Sequence, residues 1–218
     1  TNIQANGNGN VELYYDNSKK FETTSSGAIV TGQLSADNLI LGDNEKLYCG
    51  DGDDLQIFHN GSDSKITNST GDLYIQNTDT NSNQIYIRGK GGENSIIVNG
   101  DGAVELYYDN VKHFETTSDG ARVQAGEGAS AYLHIYCDEG DDNGDKWQFK
   151  NDKNAQDFTL RNYASGSWET NIRAEGNGAT KLYYDDAKKL ETASYGTLST
   201  GYFAIAGSGT RYGYTGGD

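Results

Sequence analysis

The chain has 218 residues, 34% of them hydrophobic, and a formal net charge of −15; globular domains usually carry roughly 45–50% apolar residues. That is too little aliphatic material for one thick core. The acidic balance removes the electrostatic drive for binding phosphate backbones, and no apolar run approaches the roughly 20 residues that span a bilayer. Nucleic acid and membrane insertion are therefore excluded as roles at this stage. Proline is absent, which rules out collagen-like and polyproline designs. Met is absent too, as expected of an internal stretch of a longer polypeptide.

Taken in chain order, two kinds of module alternate. The first, 1–41, has Ile3, a turn around Gly7 and Gly9, the strand phrase Val11-Glu12-Leu13-Tyr14-Tyr15-Asp16, and Glu22-Thr23. The second, 42–93, runs Leu47-Tyr48-Cys49, an acidic Gly-rich loop over 50–54, Leu55-Gln56-Ile57, Leu73-Tyr74-Ile75 and Ile85-Tyr86-Ile87. The third, 94–129, repeats the first kind with Val104-Glu105-Leu106-Tyr107-Tyr108-Asp109 and Glu115-Thr116. The fourth, 130–169, repeats the second kind with Ile135-Tyr136-Cys137, four additional residues, and Trp147-Gln148-Phe149. The fifth, 170–201, returns to the first kind with Thr180-Lys181-Leu182-Tyr183-Tyr184-Asp185 and Glu191-Thr192, and a Gly- and Tyr-rich tail covers 202–218.

Apolar and polar residues alternate with period two in these segments, the signature of strands. Asn8-Gly9, Ser26-Gly27, Asn60-Gly61, Asn99-Gly100, Asp119-Gly120 and Asn177-Gly178 punctuate them as turns. Helical periodicity is missing. The expected fold class is all-β, an elongated repetitive β fibre built as an intertwined homotrimer, with a single-chain β-solenoid as the alternative. Short strands with little aliphatic mass need partners for their faces and edges, and the modules look too lean to enclose a core alone.

A module used repeatedly suits length or a regular surface better than a unique reaction pocket. The histidines fit this view, since His113 stands where Lys20 and Lys189 stand, His134 where Lys46 stands, and His59 is matched with Lys150. A base or metal ligand does not survive exchange for Lys. Acidic groups at Asp51, Asp53 and Asp54, and at Asp138, Glu139, Asp141, Asp142 and Asp145, are read as solvated turns rather than Ca²⁺ loops, because EF-hand spacing and tandem nonapeptides are missing. A carboxylate pair for glycoside hydrolysis would need about 5–10 Å across one cleft, and no unique acid pair stands outside the repeats except around Asp145 and Glu169. Cys49 and Cys137 hold equivalent module positions, which favours two small buried hydrophobes over a disulfide. Of each tyrosine pair, such as Tyr14 and Tyr15, one is expected in a packed seam and the other in solvent. Trp147, Trp168, Tyr202, Tyr212 and Tyr214 are candidates to stack on glycans or on another protein. No catalytic, cofactor or metal residue is assigned.

The stretch from Asn10 to Thr24, with Gly52–Gly61 and Gly71–Ile75, resembles the repeat of tail-fibre and other virion structural proteins of marine bacteriophages. The likeness covers both module kinds. It departs at Lys181, Asp186, Ala187 and Leu190, at the insertion and Trp147 of the fourth module, and after Gly201. The resemblance implies an elongated, trimeric fibre on a virus particle that helps contact the host; the alternating module order and the acidic, aliphatic-poor composition point to a segment that is not an enzyme. Its implied partners are copies of itself, other virion proteins and a host surface glycan. Its implied location is the virion, outside the cell.

Overall fold

The computed structural model describes residues 2–81 and 83–201, and the backbone of two short strands beyond them. Among the described residues the protein is all-β, with two three-residue 3-10 turns and no α-helix. The chain divides into two compact units, Thr1–Tyr74 and Ile75–Asp218.

In the first unit, β1 (Ile3–Ala5), β2 (Val11–Tyr15), β3 (Ser18–Thr24) and β4 (Gly27–Val30) form a four-stranded sheet. It is followed by a three-stranded sheet of β5 (Lys46–Cys49), β6 (Leu55–His59) and β7 (Ser64–Asn68). In the second unit, β8 (Gln84–Ile87), β9 (Ile96–Asn99), β10 (Val104–Tyr108), β11 (Val111–Thr117) and β12 (Gly120–Val123) form a five-stranded sheet. A seven-stranded sheet comes next: β13 (Ala131–Tyr136), β14 (Lys146–Asp152), β15 (Asp157–Asn162), β16 (Glu169–Glu175), β17 (Thr180–Tyr184), β18 (Ala187–Ala193) and β19 (Gly196–Ser199). The short strands β20 (Phe203–Ala204) and β21 (Arg211–Tyr212) pair with each other. Each pairing is antiparallel and joins strands adjacent in the chain, so every sheet is an open meander.

The recurring phrase is explained by one hairpin. The Asp that ends it is a turn residue, not a strand residue. Asp16 and Asn17 have φ of 47° and 59°, and Asp109 with Asn110, and Asp185 with Asp186, repeat this. Two successive left-handed residues make the tight turn whose twist matches antiparallel strands, and Asn and Asp tolerate that geometry. The second turn residue also reaches back, since Asn110 Oδ1 accepts the Asn94 N–H and Asp186 Oδ1 accepts that of Thr170. The recurring Thr closes the other end of the hairpin. Thr23, Thr116 and Thr192 accept through Oγ1 from the backbone N–H of Val11, Val104 and Thr180, each at 3.0 Å.

A β-bulge lies in every copy, with Lys20, His113 or Lys189 as the extra residue. Its carbonyl accepts the N–H of Thr31, Gln124 or Thr200, just past the last strand of the module. The position is used through its backbone, so Lys and His exchange freely there. The match of His59 with Lys150 is corrected. His59 closes its hairpin opposite Ser64, and the corresponding closing residue is Asp152, opposite Asp157.

Cross-strand register gives each sheet two unlike faces. One face carries a row of directly paired residues, nearly all apolar, that crosses every strand. The row is Ile3–Leu13–Phe21–Val30 in the first sheet and Leu47–Ile57–Ile66 in the second. It is Ile87–Ile96–Leu106–Phe114–Val123 in the third. In the fourth it runs Leu133–Phe149–Leu160–Ile172–Leu182–Leu190, ending at Ser199. These rows are not covered: Leu13, Leu106 and Leu182 are 39%, 40% and 41% exposed. Among the described residues Ile97 is the one buried hydrophobic side chain.

One further expectation is corrected. Leu73-Tyr74-Ile75 lies in no strand, for no neighbouring strand pairs with it, and all three side chains are exposed. The sheets do not follow the sequence modules one for one. β8, from the 42–93 module, completes the sheet of the third module, and the fourth and fifth modules share one sheet.

Ile97 is 6% exposed and pairs with Tyr86 and Glu105. Ile97→Ala is expected to lower unfolding stability by about 2 kcal/mol, the low end for truncating a buried Ile, because a single layer closes over the gap easily. Ile40→Ala, at a side chain 87% exposed, should stay within about 0.5 kcal/mol of the parent. Urea denaturation followed by circular dichroism measures both.

Candidate functional site

The face opposite the apolar row is charged, and its side chains satisfy one another. In the third module Lys112 reaches Glu105 Oε1 at 3.0 Å and also pairs with Glu115. Arg122 lies 2.7 Å from the other oxygen of Glu115, and the Tyr107 hydroxyl donates to Glu105 at 2.5 Å. The first module repeats this with Lys19 between Glu12 and Glu22 and the Tyr14 hydroxyl on Glu12 at 2.6 Å. On a regular strand, residues i and i+3 point to opposite faces. The bulge restores them to one face, which is what lets Lys112 meet Glu115 and Lys19 meet Glu22.

These contacts set the ionisation of the cluster. Glu12 and Glu105 are held below their ordinary 4.5, first by the phenol of Tyr14 or Tyr107. Lys19 and Lys112 are raised above 10.5, first by Glu22 or Glu115. Tyr14 and Tyr107 are raised above 10.0, first by the glutamate that accepts their proton.

The seven-stranded sheet replaces part of this lattice with rings. Tyr132 and His134 lie within 17° of parallel with centroids 5.9 Å apart, and Tyr136 stands edge-on to His134 at 5.6 Å. Trp168 packs at 5.9 Å from His134 and 5.2 Å from Tyr163. Arg161 stacks over Trp168 and donates through Nη2 to its carbonyl at 2.7 Å. Lys146 lies over Tyr163, and Lys150 over Tyr132. Gln148, 2% exposed, sits beneath this group, paired with His134 and Arg161.

The acidic insertion forms two 3-10 turns, Asp138–Gly140 and Asn143–Asp145. Carboxylate oxygens of Asp141, Asp142 and Asp145 lie within 4.8 Å of one another. Asp145 accepts the Asp142 N–H and, at 3.4 Å, the Cys137 thiol, which pushes that thiol up from its usual range. The acids brought to Asp145 are thus its turn neighbours, while Glu169 stands in β16 opposite Asn162. Asp53 has a φ of 55° and is exposed at the turn before β6. Asp54 packs against Gly50, where a Cβ would fall 2.5 Å from its Oδ2.

Cys49 and Cys137 are free and exposed, which corrects the buried reading. Trp147 and Trp168 do not form one set. Trp147 pairs with Ile135 on the row face, whereas Trp168 joins the aromatic group on the other. Tyr202 and Tyr214, and the side chain of Tyr212, lie outside the described residues. The charged lattice is not among the residues singled out by sequence. Its signal is present in the sequence as a Lys three residues before Glu22, Glu115 and Glu191, but only the bulge gives that spacing meaning. No protein-family model, curated protein or solved structure matches the chain.

The lowered carboxylates contribute stability above their unfolded value, lost as pH falls through the folded one. The raised Lys and Tyr groups contribute below their unfolded values, lost as pH rises through the folded ones. Thermal stability is expected to be flat from roughly pH 5 to 10 and to fall on both sides. Tyr107→Phe, which removes the main cause of the lowered Glu105, should shift the acid limb to higher pH in melting curves. Ca²⁺ titrated into EDTA-stripped protein is expected to give no saturable heat in calorimetry, because the three carboxylates bring one oxygen each together and leave at least half of the about six to eight oxygens of a Ca²⁺ shell to water.

Proposed function

We propose that this chain is a structural segment of a bacteriophage tail fibre, a homotrimeric shaft element of the virion that spaces or presents a host-attachment element and catalyses nothing itself. One observation carries the reading. The repeated modules fold as single-layer sheets whose apolar rows stay exposed within each unit. Such sheets are completed by another layer, and contiguous exposed apolar surface marks interaction sites. The sequence resemblance supports the same assignment. The pairing pattern favours an intertwined assembly over a single-chain solenoid, since the strands meander antiparallel and solenoid coils stack in parallel.

A second reading, a glycan-binding module, has its own support in the aromatic group of Tyr132, His134, Tyr136 and Trp168, which the other modules do not repeat. Glycan-array binding by residues 1–218 separates this from a purely structural role. A polysaccharide depolymerase has no comparable support, because Asp141, Asp142 and Asp145 share one turn instead of facing each other across a cleft.

Light scattering on the purified chain is expected to give three times the 23.6 kDa chain mass. A compact monomer would remove the assembly from the proposal. Antibody labelling of phage particles should decorate a fibre, and labelling confined to the capsid would overturn the assignment.

A further inference from the structure

The seven-stranded sheet contains a junction that the first unit holds as two separate halves. Strands β13–β15 are of the second kind and β16–β19 of the first, and β15 paired with β16 joins them. The same register recurs in the first unit: Ile66 stands opposite Ile57 as Leu160 does opposite Phe149, and Ile3 opposite Leu13 as Ile172 does opposite Leu182. There, however, β5–β7 and β1–β4 are two sheets, so β7 and β1 each keep one unpaired edge. We propose that β7 of one copy pairs antiparallel with β1 of another, in the register that β15 and β16 use within the chain. This rests on the homo-oligomeric part of the proposed function, and it names strand edges as the join.

Both edges have backbone groups turned outward. The Asn6 N–H donates to Asn10 O at 3.1 Å and Asn2 O accepts from Tyr14 at 2.8 Å, so the groups of Ile3 and Ala5 face the open side of β1. Asp63 O accepts from Asn60 at 3.0 Å and the Ser69 N–H donates to Asp54 O at 2.8 Å, which leaves Ser64 and Ile66 facing outward from β7. Such an edge is a template for another strand. Position for position, Leu160 opposite Ile172 becomes Ile66 opposite Ile3, and Phe158 opposite Ala174 becomes Ser64 opposite Ala5. The third module has this edge filled as well, by β8 on β9 with Ile87 opposite Ile96. Among the described residues, the first module alone of its kind lacks that strand.

Chain order identifies the occupant. Every pairing joins strands adjacent in the chain, and β1 precedes β7, the reverse of the order that joins β15 to β16. A second copy offers each edge its complement without that reversal. The net charge of −15 does not oppose the join locally, because β1 has no charged residue and β7 has Lys65 alone. The acidic pair Asp157–Glu175 of the internal junction becomes Asp63–Asn6. Ile3 and Ile66, 65% and 61% exposed, meet across the join, and the two apolar rows run on as one. In the proposed trimer, three head-to-tail joins close a ring and leave neither edge bare.

Proline on an edge strand removes an outward N–H and spares the ladder behind it. Ala5→Pro and Ser64→Pro are each expected to sediment at the 23.6 kDa chain mass with strand circular dichroism intact. Thr197→Pro, on the free edge of β19, is expected to keep the parent mass. A cross-link decides the matter should the proline variants fail to fold. Gln4 and Lys65 take the places of Arg173 and Thr159, which stand directly opposite each other. In a Cys49→Ser/Cys137→Ser background, Gln4→Cys and Lys65→Cys chains refolded together are expected to form a disulfide-linked dimer, and neither does so alone. A parent oligomer that survives both prolines and gives no mixed link overturns this join and leaves the assembly reading standing. A monomeric parent overturns both.

Discussion

A lone β-sheet has two faces and only one way to hide each. In this protein the charged face covers itself: long Glu, Lys and Tyr side chains lie across the strands and bond to one another. The apolar face has no such recourse, because Leu, Val and Phe cannot satisfy each other on an open surface in water. Burial follows this division. Among the described residues the buried polar side chains are Glu115, Gln148, Asp157 and Thr159, all on the charged face, and the buried hydrophobic, Ile97, is on that face too. The usual arrangement of a globule is inverted in the five- and seven-stranded sheets.

The bulge makes the self-covered face possible. Without it, Lys112 would point to the apolar side, and Glu105 and Glu115, which pair directly across β10 and β11, would be left as opposed like charges. With it, Lys112 sits between them. The same extra residue sends its carbonyl to Gln124 and fixes the exit of the chain from the sheet. One backbone irregularity thus organises the charged face, leaves the apolar row unbroken, and frees its own side chain to vary between Lys and His.

Much of this was legible in the sequence. Period-two alternation and the turn residues between segments gave the all-β strands. What remained hidden depended on register. Tyr14 and Tyr15 plainly face opposite ways and alternation sets Tyr15 with Leu13, but that the Leu13 side carries the apolar row follows only from its pairing with Ile3 and Phe21. The Asp of the repeated phrase read as strand because its neighbours do, and its left-handed φ appears only in the turn. Leu73-Tyr74-Ile75 has the strand pattern and no strand to pair with, which composition cannot reveal. The cysteines read as buried by residue type, but Cys49 and Cys137 are exposed.

The fifth module shows that the lattice, and not its particular residues, is what the fold requires. Where the first and third modules have Asn6 with Glu12 and Asn99 with Glu105, the fifth has Glu175 with Lys181. The negative charge has moved to the preceding strand, and a positive charge occupies its old place. Lys181 now pairs with Glu175 at 2.5 Å and stands opposite Glu191, while Lys188 reaches Glu191 at 2.7 Å. Arg173, where Ile97 stands in the third module, extends the network to Asp157 on β15. This extension crosses β16, where the fourth and fifth modules join, and it belongs to the one place where two whole modules share a sheet. Charge was rearranged so that it could be paired across that join, while Leu182 and Tyr184 on the other face kept the places that Leu13 and Tyr15 hold in the first module.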